Sequence, residues 1–283
     1  PALKSLFACY SWRLIPCRNK ESARASMPHQ ASIDAIYRYP VKGLSPQRLE
    51  RVMLTAGRTL PADRLYAIEN GPSGFDPAAP AYFPKQRFLM LMRNERLAAL
   101  HTDYDEASHT LSVSRQGTEA LRCDLRTPEG RAAVERFFAA YCADELRGPP
   151  KVLFGGSHSF SDVAKKVVSI INLASVAEVE KAAGAPVHPL RFRGNVYVAG
   201  WPAWHEFDLL GREFALGAAR LKTVKRITRC AATEVDPDTG IRDVPVPRTL
   251  MDNFGHADCG VYAEVIAGGE VARGDPVKET AGT

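Results

Sequence analysis

Cys230 is the residue around which chemistry can be argued. It follows a run of basic residues, Lys222, Lys225, Arg226 and Arg229, and it precedes the segment Asp236-Pro237-Asp238-Thr239-Gly240. Positive surroundings favour a thiolate over a thiol, and the thiolate is both the nucleophile and the soft metal ligand. Pro237 and Gly240 mark a tight turn, so the thiol belongs at the edge between a strand and a loop rather than in mid-core. A lone cysteine in a globular chain is otherwise a small buried hydrophobe. Its meaning here depends on what accompanies it.

Four other stretches place cations or amides at turns and strand ends, where each taken alone has an ordinary structural reading. Lys42, in Tyr39-Pro40-Val41-Lys42-Gly43, is a compact cation that could meet a phosphate, or a solvated turn lysine. Arg64, in Asp63-Arg64, offers a planar fork that suits phosphate or a ring carbonyl; the alternative is a local ion pair of small energetic weight. Asn172, before Leu173-Ala174-Ser175, could contact a ligand or cap a helix. Arg193 and Asn195, in Phe192-Arg193-Gly194-Asn195, stand at the entrance of a strand. Thr228, Arg229 and Thr233 add hydrogen-bonding groups beside Cys230. Cys259 lies near His256 and Asp258, where a structural role is expected, and Trp201 and Trp204 either pack in a loop or wall a cleft.

Other chemistries lack their signatures. The six cysteines form no C-x-x-C pair and no zinc-finger or iron–sulfur spacing, which points to a reducing compartment. There is no glycine fingerprint for a flavin or nicotinamide, and the loop 155–162 lacks phosphate-loop spacing. A net charge of +5 is too mild to argue for nucleic acid but suits a small anionic ligand. No run is apolar and long enough to span a membrane as a helix.

The elements that must position these groups are mostly short strands, expected over 33–39, 48–54, 63–69, 97–104, 110–114, 151–154, 167–171, 196–198, 213–216, 219–227 and 260–267. Helices are expected over 127–143, with Thr127 as N-cap and Pro128 at the first turn, and over 174–183, with Ser175 as cap and Gly184 as stop. Many strands with few helices argue for a barrel. Gly148-Pro149-Pro150 is the clearest linker signal. Residues 1–26 lack a packing pattern, so Met27 reads as a natural start and the preceding residues as an upstream, poorly ordered extension.

Taken in order, these stretches resemble the family of the molybdenum-cofactor sulfurase C-terminal (MOSC) domain. Thr228-Arg229-Cys230 followed by Thr233-Glu234-Val235-Asp236-Pro237-Asp238-Thr239-Gly240 is similar to its cysteine motif, with Thr228 in place of Ser and Glu234 in place of a second Thr. The resemblance implies a mixed α/β, mostly β fold: a MOSC β-barrel domain over 148–283, preceded by a smaller N-terminal α/β domain over 28–147, with 1–27 outside both. It implies Cys230 as the metal ligand and, with Asp236, as a catalytic residue. Lys42, Arg64, Asn172, Arg193, Asn195, Thr228, Arg229 and Thr233 would bind the molybdenum cofactor. The implied activity is reduction of N-hydroxylated compounds by a cytoplasmic oxidoreductase, with electrons from a separate flavin, iron–sulfur or cytochrome protein. The alternative is a cofactor carrier or a sulfur-transfer protein using a Cys230 persulfide. Glu234 adds a negative charge near the site, from which an altered substrate preference is expected.

Overall fold

The computed structural model describes residues 31–279; the expectations for residues 1–26 lie outside them. The chain begins with strands β1 (Ser32–Arg38), β2 (Gln47–Leu49), β3 (Arg51–Leu54) and β4 (Tyr66–Ile68). A meander of β5 (Leu100–Asp105), β6 (Thr110–Arg115) and β7 (Thr118–Asp124) leads into helix α1 (Pro128–Tyr141). After β8 (Val152–Phe154) come β9 (Val168–Asn172), α2 (Leu173–Ala183), β10 (Val196–Ala199), the one-turn α3 (His205–Asp208), β11 (Glu213–Leu216) and β12 (Ala219–Thr228). Helix α4 (Val246–Phe254) and strands β13 (Asp258–Ala267), β14 (Gly269–Ala272) and β15 (Val277–Glu279) complete it. The fold is therefore mostly β with few helices, as the strand pattern predicts.

Eight strands form one sheet in the order β15-β11-β12-β13-β9-β10-β1-β2, antiparallel throughout except for β9 and β10. A parallel neighbour needs a crossover, and α2 supplies it. The lead-in to β15 returns to the start of β1: Ser32 bridges Pro276, and Val277 N–H donates to the Ala31 carbonyl at 2.8 Å. The sheet so curls back on itself and protects edges that would otherwise stay open. Period-two alternation sorts the side chains. Val168, Ile170, Val196, Val198, Leu221 and Val261 fill the interior. Ile171, Tyr197 and Cys259 face outward onto Val176, Val179, Val246 and Leu250 of α2 and α4.

The N-terminal segment has its own core, where Leu100, Tyr104, Leu111 and Val113 of the meander meet Val134 and Phe138 of α1. Helix α1 starts where its cap predicts, since Gly130 N–H donates to Thr127 Oγ1 at 3.0 Å with Pro128 in the first turn. Hydrogen bonds nonetheless cross the Gly148 linker. Strands β1 and β2 join β10 in the large sheet, β3 pairs with β14, and β4 with β8. The expected strand over 48–54 splits at Glu50 because its two halves serve different partners, β1 and β14. Among the described residues no helix is long and apolar enough to cross a membrane.

Candidate functional site

A cavity of about 280 Å³ opens where β12 ends, between the barrel rim and the N-terminal segment. Its lining includes the turn after β1 with Asp63 and Arg64, the segment 90–92, the loop 161–163, the segment 191–193 and the thiol loop from Thr228 to Thr233. Eight basic side chains face it against two acidic ones, Asp63 and Asp162. This is a strongly electropositive hollow in a chain whose net charge is only +5.

Cys230 is the one described cysteine that lines the cavity. Cys142 and Cys259 are buried, and burial pushes both thiols up to about 12. Cys123 is half-buried and is raised for the same reason. The backbone on either side of Cys230 is pinned while its side chain is left to the cavity. Arg229 N–H donates to the Ala257 carbonyl at 2.7 Å. Its guanidinium donates to the carbonyls of Cys259 through Nε at 2.8 Å and Phe192 through Nη1 at 2.8 Å. Thr233 returns its N–H and its hydroxyl to the Cys230 carbonyl, each at 2.9 Å.

Lys85 completes this arrangement, and the sequence contained no signal for it. Its Nζ lies 3.2 Å from Cys230 Sγ and 3.4 Å from Asp162 Oδ2. Burial opposes its charge, but Asp162 and Cys230 outweigh burial and hold its pKa above the usual lysine value. Asp162 also pairs with Lys42, whose Nζ donates to the Phe160 carbonyl at 2.8 Å. Burial pushes the Lys42 pKa down despite Asp162. For Asp162 burial works upward, yet the two lysines win and keep its carboxyl well below the ordinary aspartate range. Its side chain remains 45% exposed, so solvent screens the pairs.

Arg64 and Arg193 stack on the ring of buried Tyr39, with their guanidinium carbons 4.4 and 4.2 Å from its centroid. Both adopt a left-handed backbone, φ 51° and 50°, which explains why the expected strand over 63–69 begins only at Tyr66. Arg64 pairs with Asp63 and donates to the Arg193 carbonyl at 3.0 Å; Arg193 donates to the Leu44 carbonyl at 2.9 Å. A guanidinium has five N–H donors, so both retain capacity toward the cavity.

Of the residues singled out in the sequence, Lys42, Arg64, Arg193, Asn195, Thr228, Arg229, Cys230 and Thr233 come together around the cavity. Several are occupied by the protein itself. Asn195 accepts from Ser169 N–H and hydroxyl and donates to the Tyr37 carbonyl, tying β9 to β1. Thr228 donates to Asp258 at 2.7 Å. Asn172 and Asp236 do not line the cavity. Asn172 caps α2 by accepting from Ala174 N–H at 3.0 Å, the role expected of Ser175, and donates to buried Glu206 at 2.8 Å. Asp236 caps its own turn through Asp238 and Thr239 and pairs with Arg191 at 3.2 Å. Glu234, expected to charge the site, points instead at Arg242, 3.4 Å away. Trp201 packs against Phe214 and Trp204 against Phe254, and neither lines the cavity.

Residues 155–278 match the family model of the MOSC domain, and residues 30–145 that of the MOSC N-terminal beta barrel domain. The chain belongs to the MOSC family. Relatives include the mitochondrial amidoxime reducing component 2 of Bos taurus, 30% identical over 124 residues, and the mitochondrial amidoxime-reducing component 1 of Homo sapiens, 28% identical over 120 residues. These matches cover 39% and 38% of this chain and span only 36% and 35% of the relatives' length. Among solved structures, the YUAD protein from Bacillus subtilis aligns over 88% of this chain and 94% of its own, at 14% identity and a TM-score of 0.41, too loose a likeness to carry an argument.

Proposed function

We propose that this protein is a molybdenum-cofactor-dependent reductase of N-hydroxylated compounds such as amidoximes and hydroxylamines, supplied with electrons by a partner protein. The observation that carries the reading is the pairing of one cavity-facing thiol, Cys230, with an electropositive lining that already holds a lysine 3.2 Å from its sulfur. The donor set fits the group. Among the described residues no cluster of three or more His, Cys, Asp or Glu could hold a metal on its own. Cys230 would supply a soft thiolate ligand to a metal that the cofactor itself carries. Lys42, Arg64 and Arg193 would take the phosphate and the polar edge of the pterin through their remaining donors. Thr228, Arg229, Asn195 and Thr233 support the site through the framework, and Asp236 holds the thiol loop in shape.

When bound, the cofactor would supply two-electron oxygen-atom chemistry at the substrate N–O bond. The balanced reaction takes two electrons and two protons, breaks the N–O bond and releases the oxygen as water. The chain's own residues set the stage for it: the pinned backbone at 229–233 orients the thiol, and Lys85 stands 3.2 Å from its sulfur. The likeness to amidoxime reducing components supports the substrate class. The free thiols support a reducing, cytoplasm-like compartment. An N-terminal unit (28–147) and a MOSC unit (148–283) would meet at the cavity. The test is molybdenum and pterin analysis of the purified protein, followed by turnover of an amidoxime with an artificial reductant. Cofactor with turnover supports the reductase; cofactor without turnover would make it a carrier, and absence of cofactor after expression in a molybdenum-replete host would overturn the reading.

A further inference from the structure

We infer that Arg242 is a positioning residue that sets the width of the cavity by clamping the thiol loop to the opposite wall. The two ends of its guanidinium serve different parts of the molecule. Nη1 donates to the Ala231 carbonyl at 2.6 Å and faces Glu234 at 3.4 Å, both in the thiol loop. Nη2 donates to the carbonyls of Leu91 and Met92, at 3.1 and 2.9 Å, and to Glu95 at 3.2 Å. Met90, Leu91 and Met92 form cavity wall, as Cys230 and Ala232 do. One planar fork therefore spans the seam, reaching from Arg242 to a wall 150 positions away in sequence.

The surrounding contacts leave this task to Arg242. Arg191, from the turn Pro189–Phe192, bonds the Glu234 carbonyl, Asp236 and Asp243, all on the same side of the seam. The turn at Gly240 is pressed onto the N-terminal segment, since a Cβ there would fall 3.0 Å from the Glu95 carbonyl. Glu234 thereby acquires a purpose: it stands where the family pattern has threonine and supplies a carboxylate to the fork. An arginine held by five backbone or carboxylate oxygens across a seam loses both registrations at once when removed, and the walls are then free to part. Because each wall accepts from a different nitrogen of the fork, the single ammonium of a lysine cannot serve both walls together.

The inference rests on the cavity being the reactive site, but its test reads access to the thiol and needs no bound cofactor. Cofactor-free protein is alkylated with iodoacetamide and, separately, with N-(1-pyrenyl)maleimide, and modification of Cys230 is followed by peptide mapping. In the wild type the small reagent should be favoured well beyond the ratio for a free thiol. In Arg242→Met and Arg242→Lys that preference should narrow by about tenfold, the size of one charge-assisted bond expressed as a ratio. Arg248→Met, on the exposed face of α4 with an 81% exposed side chain, should keep the wild-type ratio. A purely structural role would lower the melting temperature and speed both reagents alike. If Arg242→Met fails to fold, Arg242→Lys decides. An unchanged ratio in the folded variants, or equal narrowing in Arg248→Met, overturns the assignment.

Discussion

Replacing Arg229 with methionine separates framework from ligand contact. The sequence offers this residue as a cofactor contact, whereas its guanidinium is committed to the Cys259 and Phe192 carbonyls. Removing it strips two carbonyls of charge-assisted donors, each worth about 1–3 kcal/mol when buried. The side chain is only half-buried, and water from the cavity can reach part of the space it vacates. The net cost should therefore be about 2–4 kcal/mol, or roughly 5–15 °C in melting temperature for a chain of this size. Urea unfolding of cofactor-free protein measures it directly. The same variant should alkylate faster at Cys230, because the backbone before the thiol is released. If Arg229→Met unfolded at the wild-type urea concentration yet failed to hold cofactor, the guanidinium would be a ligand group and the framework argument would be wrong.

Three further outcomes are expected. Gly260→Ala should cost about 3 kcal/mol or more, because its Cβ would lie 2.5 Å from the Ile170 carbonyl at φ +77°; Gly255→Ala, with φ +72° and open space, should cost only about 1–2 kcal/mol in the same unfolding assay. Lys42→Ala and Arg64→Ala should each lower the pterin retained after dialysis while circular dichroism stays unchanged, and full retention in both would remove these residues from the binding set. Asp236 supplies a pH dependence: burial raises its pKa, but the Thr239 and Asp238 donors and Arg191 outweigh burial and hold it below the ordinary 3.8. A carboxyl depressed on folding stabilises above its unfolded pKa and loses that contribution as pH falls through its folded value. The stability gap between wild type and Asp236→Ala should thus be full at neutral pH and shrink in acid; a gap that widened below pH ~4 would contradict the sign.

The barrel and the location of the thiol were legible because both are local signals. Alternation in β12 and β13 exposes which face is buried, the apolar run at 167–171 marks β9 as a buried strand, and Pro237 with Gly240 announces the turn after Cys230. Helix α1 was legible from Thr127 and Pro128 at its start and from the apolar face of Val134, Phe137, Phe138 and Tyr141. Helix α4 was not, because Pro245 and Pro247 at its start read as loop, although a proline in the first turn is compatible with a helix. The short β14 and β15 carry too few residues to show a period and exist through their partners β3 and β11. The same limit hid Lys85, which meets Cys230 across 145 positions. It also hid which polar residues were already spent. Asn172 is a competent ligand by type, and only packing reveals that its amide serves α2 and Glu206.

The most direct test of the central claim is molybdenum X-ray absorption on the purified protein and its Cys230→Ser variant, with Cys259→Ser in parallel. Serine is nearly isosteric but a hard donor, so the fold should persist. The account expects the sulfur shell of the metal to lose one thiolate in Cys230→Ser, together with collapse of amidoxime turnover, while Cys259→Ser, altered only at a buried thiol on the outer face of the barrel, keeps the wild-type spectrum. An unchanged sulfur shell in Cys230→Ser, or loss of the thiolate in Cys259→Ser, would contradict it.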